Sequence, residues 1–381
     1  MMRRPTTRTA LRGVAVCAAL ASLALGPGAL AAGPARNAAA TASDLLTPDR
    51  TASVIPTYTI KPSDNPEVLK AALAKLKPGD TLGLYGGNYT TNYLRMYAEG
   101  HLSTTIAKGT ATKPITLTSV DPALPATLLG GLQLSFADYW HISNLNFTAT
   151  VKGTSALYMD GGVGWSVTGS EFTGARATGS YANVAIAGSK GGPSKFTFSG
   201  NCVYAGGMAH KGADQNIYVA FPGSAATSGT ISRNIIYAAP YGQAIKLGNG
   251  GTAGALGPWN VVVSNNTMVS NGRQVLLFGN VRNNKIVGNL FVTATTRFVS
   301  NPQTTQVYVS AVARSGNLIR GNYGYSASMF SFDPSKVAVY SANINSNAAS
   351  ADPRFNATTT CGVFKPTNPT AAKFGRYGVT H

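Results

Sequence analysis

Residues 231–248 read ISRNIIYAAPYGQAIKLG. The first half places apolar residues on both sides of Asn234. The second half alternates Ile245 and Leu247 with Lys246. Alternation with a period of two marks β-strands, and the Ala-Pro-Tyr-Gly stretch between the halves marks a turn.

Both halves recur along the chain. HISNLNF, SVTGSEF, FSGNCVY, VSNNTMV, IVGNLFV and IRGNYGY repeat the first, in its fullest form apolar-x-x-Asn-x-x-apolar. The Asn falls at 201, 234, 266, 289 and 322, at intervals of 33, 32, 23 and 33 residues, while Leu145 and Ser170 take its place in the two earliest copies. ALYMD, NVAIA, NIYVA, QVLLF and QVYVS repeat the AIKLG strand. Repeats of about 20–35 residues built from two or three short strands signal a solenoid. The Leu framework of a leucine-rich repeat and the four strands of a propeller blade are both missing. The expected fold is therefore all-β, a parallel β-helix in which each coil adds one rung to each of several sheets. The Asn column then reads as architecture, its amides hydrogen-bonding from coil to coil at one turn.

Composition agrees. Gly is 43 of 381 residues, above the usual share of about 7%. Charged residues are 12%, roughly half the ordinary value. This excludes a helical bundle, and an apolar share of 44% excludes a disordered basic tail. The formal charge is +18, from 31 basic and 13 acidic residues.

Residues 1–32 have the layout of a secretory signal peptide. Arg3, Arg4, Arg8 and Arg12 form a basic start, Val14 to Leu25 an apolar core, and Ala29-Leu30-Ala31 a small-residue cleavage site. Without those four arginines the balance is +14. Residues 33–57, rich in Ala and Thr, read as a flexible linker, 58–360 as the β-helix domain, and 361–381 as an irregular tail. One short amphipathic helix is expected over 65–77, with Leu69, Ala72, Leu73 and Leu76 on one face and Asp64 and Glu67 spaced as a capping box. It is placed to close the N-terminal end of the solenoid, and the tail to shield the other end or lie along the side. Cys202 and Cys361 remain after cleavage. Export permits one disulfide between them, and two separate buried thiols is the competing reading.

KPGDTLGLYGGNYT (77–90), GTATKPITLTS (109–119), the NIYVA and AIKLG strands, the Asn turns and ADPRF (351–355) together resemble the secreted right-handed parallel β-helix proteins of the pectate-lyase-like superfamily. The resemblance spans most of 58–360. It implies a right-handed coil and an activity among polysaccharide lyases, glycoside hydrolases, epimerases and non-catalytic members. It also implies a carbohydrate site on the outer face of one parallel sheet.

Alternation identifies that outer face. Inward Ile217 and Val219 leave Tyr218 outside, inward Ile245 and Leu247 leave Lys246 outside, and inward Val275 and Leu277 leave Gln274, Leu276 and Phe278 outside. The outward column is Tyr158, Ala185, Tyr218, Lys246, Leu276 and Tyr308, with Gln274 and Gln306 beside it. Cleavage of a uronic-acid chain by β-elimination needs a cation on the carboxylate, a base for the C5 proton and an acid for the leaving oxygen. Lys246 is the candidate base, and its strand resembles the lysine-bearing strand of some pectate lyases. Arg273 is the candidate carboxylate ligand, Tyr218 the proton donor, and His210 a further catalytic candidate from the preceding loop. Tyr158, Lys211, Gln274 and Tyr308 are the substrate-binding candidates. Each also has a plain reading as solvated strand or loop surface.

A hydrolase is less well served, because Asp160 and Asp214 lie two coils apart. Scarce acids give no evident cofactor, calcium being the alternative. The expected partner is an acidic polysaccharide bound by an exported monomer, with neither nucleic acid nor membrane involved. A non-catalytic β-helix that binds acidic glycan or cell-wall polymer is the alternative function, with a glycoside hydrolase or epimerase on the same scaffold as a third reading.

Overall fold

The structure is a computed structural model. It describes residues 55–98, 105–206, 215–249, 256–292, 305–326, 328–332, 334–355, 361 and 364–378. The expected leader (1–32), most of the linker, His210 and Lys211 lie outside the described residues.

Three parallel sheets wind about one axis as a right-handed parallel β-helix. Sheet I has eleven strands, from Tyr58–Ile60 to Val337–Ser341. Sheet II has ten, from Gly87–Thr90 to Ile344–Ser346, and sheet III has nine, from Leu94–Tyr97 to Ser328–Phe332. One coil shows the pattern: Val261–Ser264 in sheet I, Thr267–Val269 in sheet II, Arg273–Leu277 in sheet III, then Lys285–Val287 back in sheet I. The six AIKLG-type strands all fall in sheet III.

Inward side chains of the three sheets form one core, in which Ile217, Ile245, Val275 and Val307 stack in register and are fully buried. Like residues stack on like from coil to coil. Phe147 lies on Phe172 with ring centres 5.0 Å apart, and Trp165 on Phe196 at 4.9 Å.

The Asn column forms the predicted ladder between sheets I and II. The backbone N–H of Asn201 donates to Asn234 Oδ1 at 2.9 Å, Asn234 to Asn266 at 3.0 Å, Asn266 to Asn289 at 2.9 Å, and Asn289 to Asn322 at 3.0 Å. Each of these amides is fully buried, so every bond replaces one lost to water. Asn343 extends the ladder by one coil. Two further ladders escaped the sequence reading. Asn284 donates from its backbone to Asn317 Oδ1 at 3.1 Å, and Asn183, Asn216 and Asn271 link side chain to side chain at the corner between sheets II and III.

The helix runs Pro66–Lys75 and buries Leu69 and Leu73 against the first coil. Its cap differs from the expected box. Asn65, not Asp64, accepts the Glu67 N–H, at 2.9 Å, while Asp64 takes the Lys61 N–H in the preceding turn.

The tail packs along the side. Cys361 forms a disulfide with Cys202, across Cα atoms 5.7 Å apart. Phe364 and Phe374 lie against Tyr237 and Tyr323 on the outer face of sheet II, with ring centres 5.0 and 5.5 Å apart. A second apolar cluster, separate from the solenoid core, results.

Candidate active site on the nine-stranded sheet

Strand register fixes the outer face of sheet III. Arg95, Gln133, Tyr158, Ala185, Tyr218, Lys246, Leu276 and Tyr308 occupy consecutive rungs of one column. Rungs of a sheet are about 4.8 Å apart, so side chains on alternate rungs meet when the residue between is small. Ala185 is such a residue. It leaves the Tyr158 phenol close enough to disfavour ionisation of Tyr218. Burial, with Tyr158 adding to it, pushes Tyr218 up to about 12. Burial also raises Tyr158, reinforced by Asp160 and Tyr97. Both phenols keep their protons at any ordinary pH.

Lys246 stands next in the column, half-buried. Its Nζ is 5.2 Å from the centre of the Tyr218 ring and 5.7 Å from that of Phe278. Just beyond, Gly248, at φ +95°, packs directly on the Phe278 carbonyl, where any Cβ would collide. Burial lowers the Lys246 pKa, since the surrounding rings replace water poorly around an ammonium. The ring faces partly offset this by attracting the cation. Lys246 is thus a lysine drawn toward its neutral form beside the ring of a phenol that holds its proton.

Arg273 opens the adjacent strand. Its guanidinium lies 4.7 Å from the centre of the Tyr308 ring, two rungs beyond Lys246. Only 8% of the residue is exposed. Burial pulls its pKa down, with Tyr308 acting in the opposite direction, yet a guanidinium remains charged at neutral pH. The strip thus presents Tyr158, Tyr218 and Lys246 on one side of Leu276 and the Arg273–Tyr308 pair on the other.

One expected binding residue, Gln274, does not face this strip, and neither does Gln306, which was placed beside the outward column. Gln274 is fully buried. It accepts from Asn271 Nδ2 at 2.8 Å and donates to the Val292 carbonyl at 3.1 Å. Gln306 is equally buried and donates to the Tyr325 carbonyl. Both lie at the corner where the chain enters sheet III, so Gln274 joins the polar ladder through Asn271 and Gln306 bonds a backbone carbonyl of sheet II. His210 and Lys211 lie outside the described residues.

The structure adds residues that the sequence reading passed over. Tyr93, Arg95, Tyr97 and Gln133 extend the strip toward the N-terminal end. Tyr93 donates from its hydroxyl to Gln133 Oε1 at 3.2 Å, Arg95 lies 5.0 Å from the Tyr93 ring centre, and burial pushes Tyr93 up to about 12. The alternation in LRMY and LQLS carries the signal, with Leu94, Met96, Leu132 and Leu134 inside. Asp160 is nearly buried, and its carboxylate accepts both the N–H and the hydroxyl of Ser189 at 2.7 Å. It is held in structure and is poorly placed as a glycosidase acid. Among the described residues no group of three or more His, Cys, Asp and Glu could hold a metal ion.

Among the described residues no helix is long and apolar enough to cross a membrane. No protein-family description matches the chain, and no curated protein matches it. Solved structures with a similar course of the chain include three polysaccharide lyases. An alginate lyase from Paenibacillus sp. str. FPU-7 is 20% identical, with 76% of this chain and 95% of that one covered and a TM-score of 0.48. Pectate lyase Pel9A is 15% identical, with 78% and 83% covered and a TM-score of 0.48. Alginate lyase AlyF-OU02, in complex with G6, is 15% identical, with 79% and 65% covered and a TM-score of 0.47.

Proposed function

We propose that the protein is an exported polysaccharide lyase that cleaves an acidic, uronic-acid-containing glycan by β-elimination on the outer face of sheet III. The observation that carries this is the pairing of Lys246, its pKa lowered by burial, with Tyr218, held protonated, 5.2 Å from nitrogen to ring centre. In the reaction Lys246 Nζ takes the C5 proton. The electrons of that C–H bond form the C4=C5 double bond, the C4–O bond breaks, and the departing oxygen takes a proton from Tyr218. Arg273 neutralises the uronate carboxylate, which makes the C5 proton acidic enough to leave. The remaining tyrosines offer ring faces and hydroxyls to flanking sugars.

The division of labour follows from the pKa directions. A base must be free of its proton and an acid must carry one, and burial acts oppositely on an amine and a phenol. Hydrolysis by paired carboxylates finds little support, because Asp160 is already committed to Ser189.

The test is incubation of the mature protein with alginate, polygalacturonate, glucuronan and glycosaminoglycans. Ultraviolet absorbance from an unsaturated uronide is the expected product signal. New reducing ends without that absorbance mean hydrolysis, and binding without either means a non-catalytic glycan-binding β-helix.

A further inference from the structure

Away from sheet III, a trench of about 500 Å³ lies between the outer face of sheet I and the returning tail. Its floor is apolar, formed by Val287, Leu318 and Phe374, and Lys285 and Arg320 stand exposed at its sides. Register places these two cations diagonally, because Lys285 pairs with Leu318 and Val287 with Arg320. Among the described residues neither cation has an acidic partner. The tail wall is fixed. Gly375 donates its N–H to the Gly288 carbonyl at 2.9 Å, and the Phe374 ring packs on Tyr323.

The trench continues two columns of hydroxyls. Ser199, Ser232 and Ser264 lead rung by rung to Val287, and Thr197 and Thr230 lead through Val262 to Lys285. Each hydroxyl-bearing residue is partly exposed, and Ser232 already donates to Ser199 at 3.1 Å, which keeps the row ordered. The sheet thus offers a straight track with a hydroxyl step of about 4.8 Å that ends in two cations over an apolar floor.

We infer that this track is a second, non-catalytic site for an acidic polysaccharide. It rests on the same reading of the partner as an acidic glycan. Carboxylates of the polymer meet Lys285 and Arg320. The C–H faces of its pyranose rings lie over Val287, Leu318 and Phe374, and its hydroxyls exchange hydrogen bonds with the Ser and Thr columns. A nucleic acid is less suited, because a stacking platform for successive bases needs several aromatic rings and the trench supplies one. The site holds polymer on one face while another face works on it, so its effect falls on long chains.

The experiment is affinity electrophoresis of the full mature chain through gels containing polygalacturonate, alginate, neutral dextran or single-stranded DNA. Every protein carries Lys246→Met, so that polymer is not consumed. The expected result is retardation by the two polyuronates and none by dextran. Lys285→Ala/Arg320→Ala is expected to weaken it about five- to tenfold, as two partly exposed charge contacts would. Leu318→Glu, which puts an anion into the trench, is expected to weaken it at least as much. Unchanged retardation of both variants overturns the second site, as does the lack of any retardation of the parent. Equal binding of single-stranded DNA with the same sensitivity overturns the choice of partner. Failure of the lyase reading registers separately, as missing unsaturated product from the protein with Lys246 intact.

Discussion

Sheets II and III are built from the same repeat, yet their outer faces meet opposite fates. On sheet II the outward column includes Cys202, Ile235, Leu290 and Tyr323, all of them buried under the tail. On sheet III the outward column holds Tyr158, Tyr218, Lys246 and Tyr308, all of them partly exposed. An apolar column left in water would lose roughly 25 cal/mol for every Å² that cover could bury. Sheet II therefore recruits the irregular tail and pins it with a disulfide. Sheet III presents rings that carry hydroxyls or stand beside cations, which tolerate water at one edge and a low dielectric at the other. One face contributes stability, and the other keeps phenols and a cation half-desolvated.

This contrast makes the two faces separable by mutation. The largest effect is expected from Lys246→Ala, which removes the proposed base from sheet III and should lower turnover about 10³-fold, read as loss of the ultraviolet product signal. Lys246→Met should be no less stable than the parent in thermal unfolding at neutral pH. Folding lowers this amine's pKa, so the folded protein holds the charge reluctantly below that pKa. Stability rises with pH between the lowered value and the ordinary 10.5. A strongly destabilised but active Lys246→Met would reverse the assignment of roles.

Removing the disulfide with Cys202→Ser/Cys361→Ser should do the opposite. The link closes a span of 159 residues, for which loop entropy gives about 5 kcal/mol, with about 3–5 expected after relaxation. Denaturant unfolding should register that loss while kcat/KM of the folded fraction stays within about twofold. Loss of activity at full stability would show that the tail serves sheet III.

Asn266→Ala tests the ladder beneath sheets I and II. It removes the acceptor of the Asn234 N–H and the donors to Ile231 and Asn289 in one step. A cost of about 2–3 kcal/mol is expected in the same unfolding assay. A cost below about 0.5 kcal/mol would mean that water replaces the amide.

The smallest loss of turnover belongs to Tyr218→Phe, expected to slow it about 10²-fold. In the parent, kcat/KM should rise with pH toward a plateau set by a group titrating below 10.5. Lys246 must lose its proton, whereas Tyr218, pushed up to about 12, keeps its own. A profile that falls across that range would assign the rising and falling limbs to other groups.

Legibility followed periodicity. The AIKLG strands, the inward Ile and Val positions and the Asn201–Asn322 column repeat often enough for pattern to outweigh local exceptions. At corners it failed, because the residues at the start of a strand belong to both the pleat and the turn. Gln274 and Gln306 were read outward and are buried for this reason. The ladder through Asn183, Asn216 and Asn271 stayed hidden because its members come from unequal positions in their coils, with Ala244 filling one rung and Asn271 reaching across from the next.

The sequence alone determined the coil, its Asn turn and the outward identity of Tyr158, Tyr218, Lys246 and Tyr308, because a two-residue period and a coil-length repeat are local properties. Tertiary structure decided which outer face is covered, that Cys202 meets Cys361, and that Arg273 reaches the Tyr308 ring. Those contacts join residues that are distant in sequence or separated by a bend, and only the stacking of coils and the return of the tail bring them together.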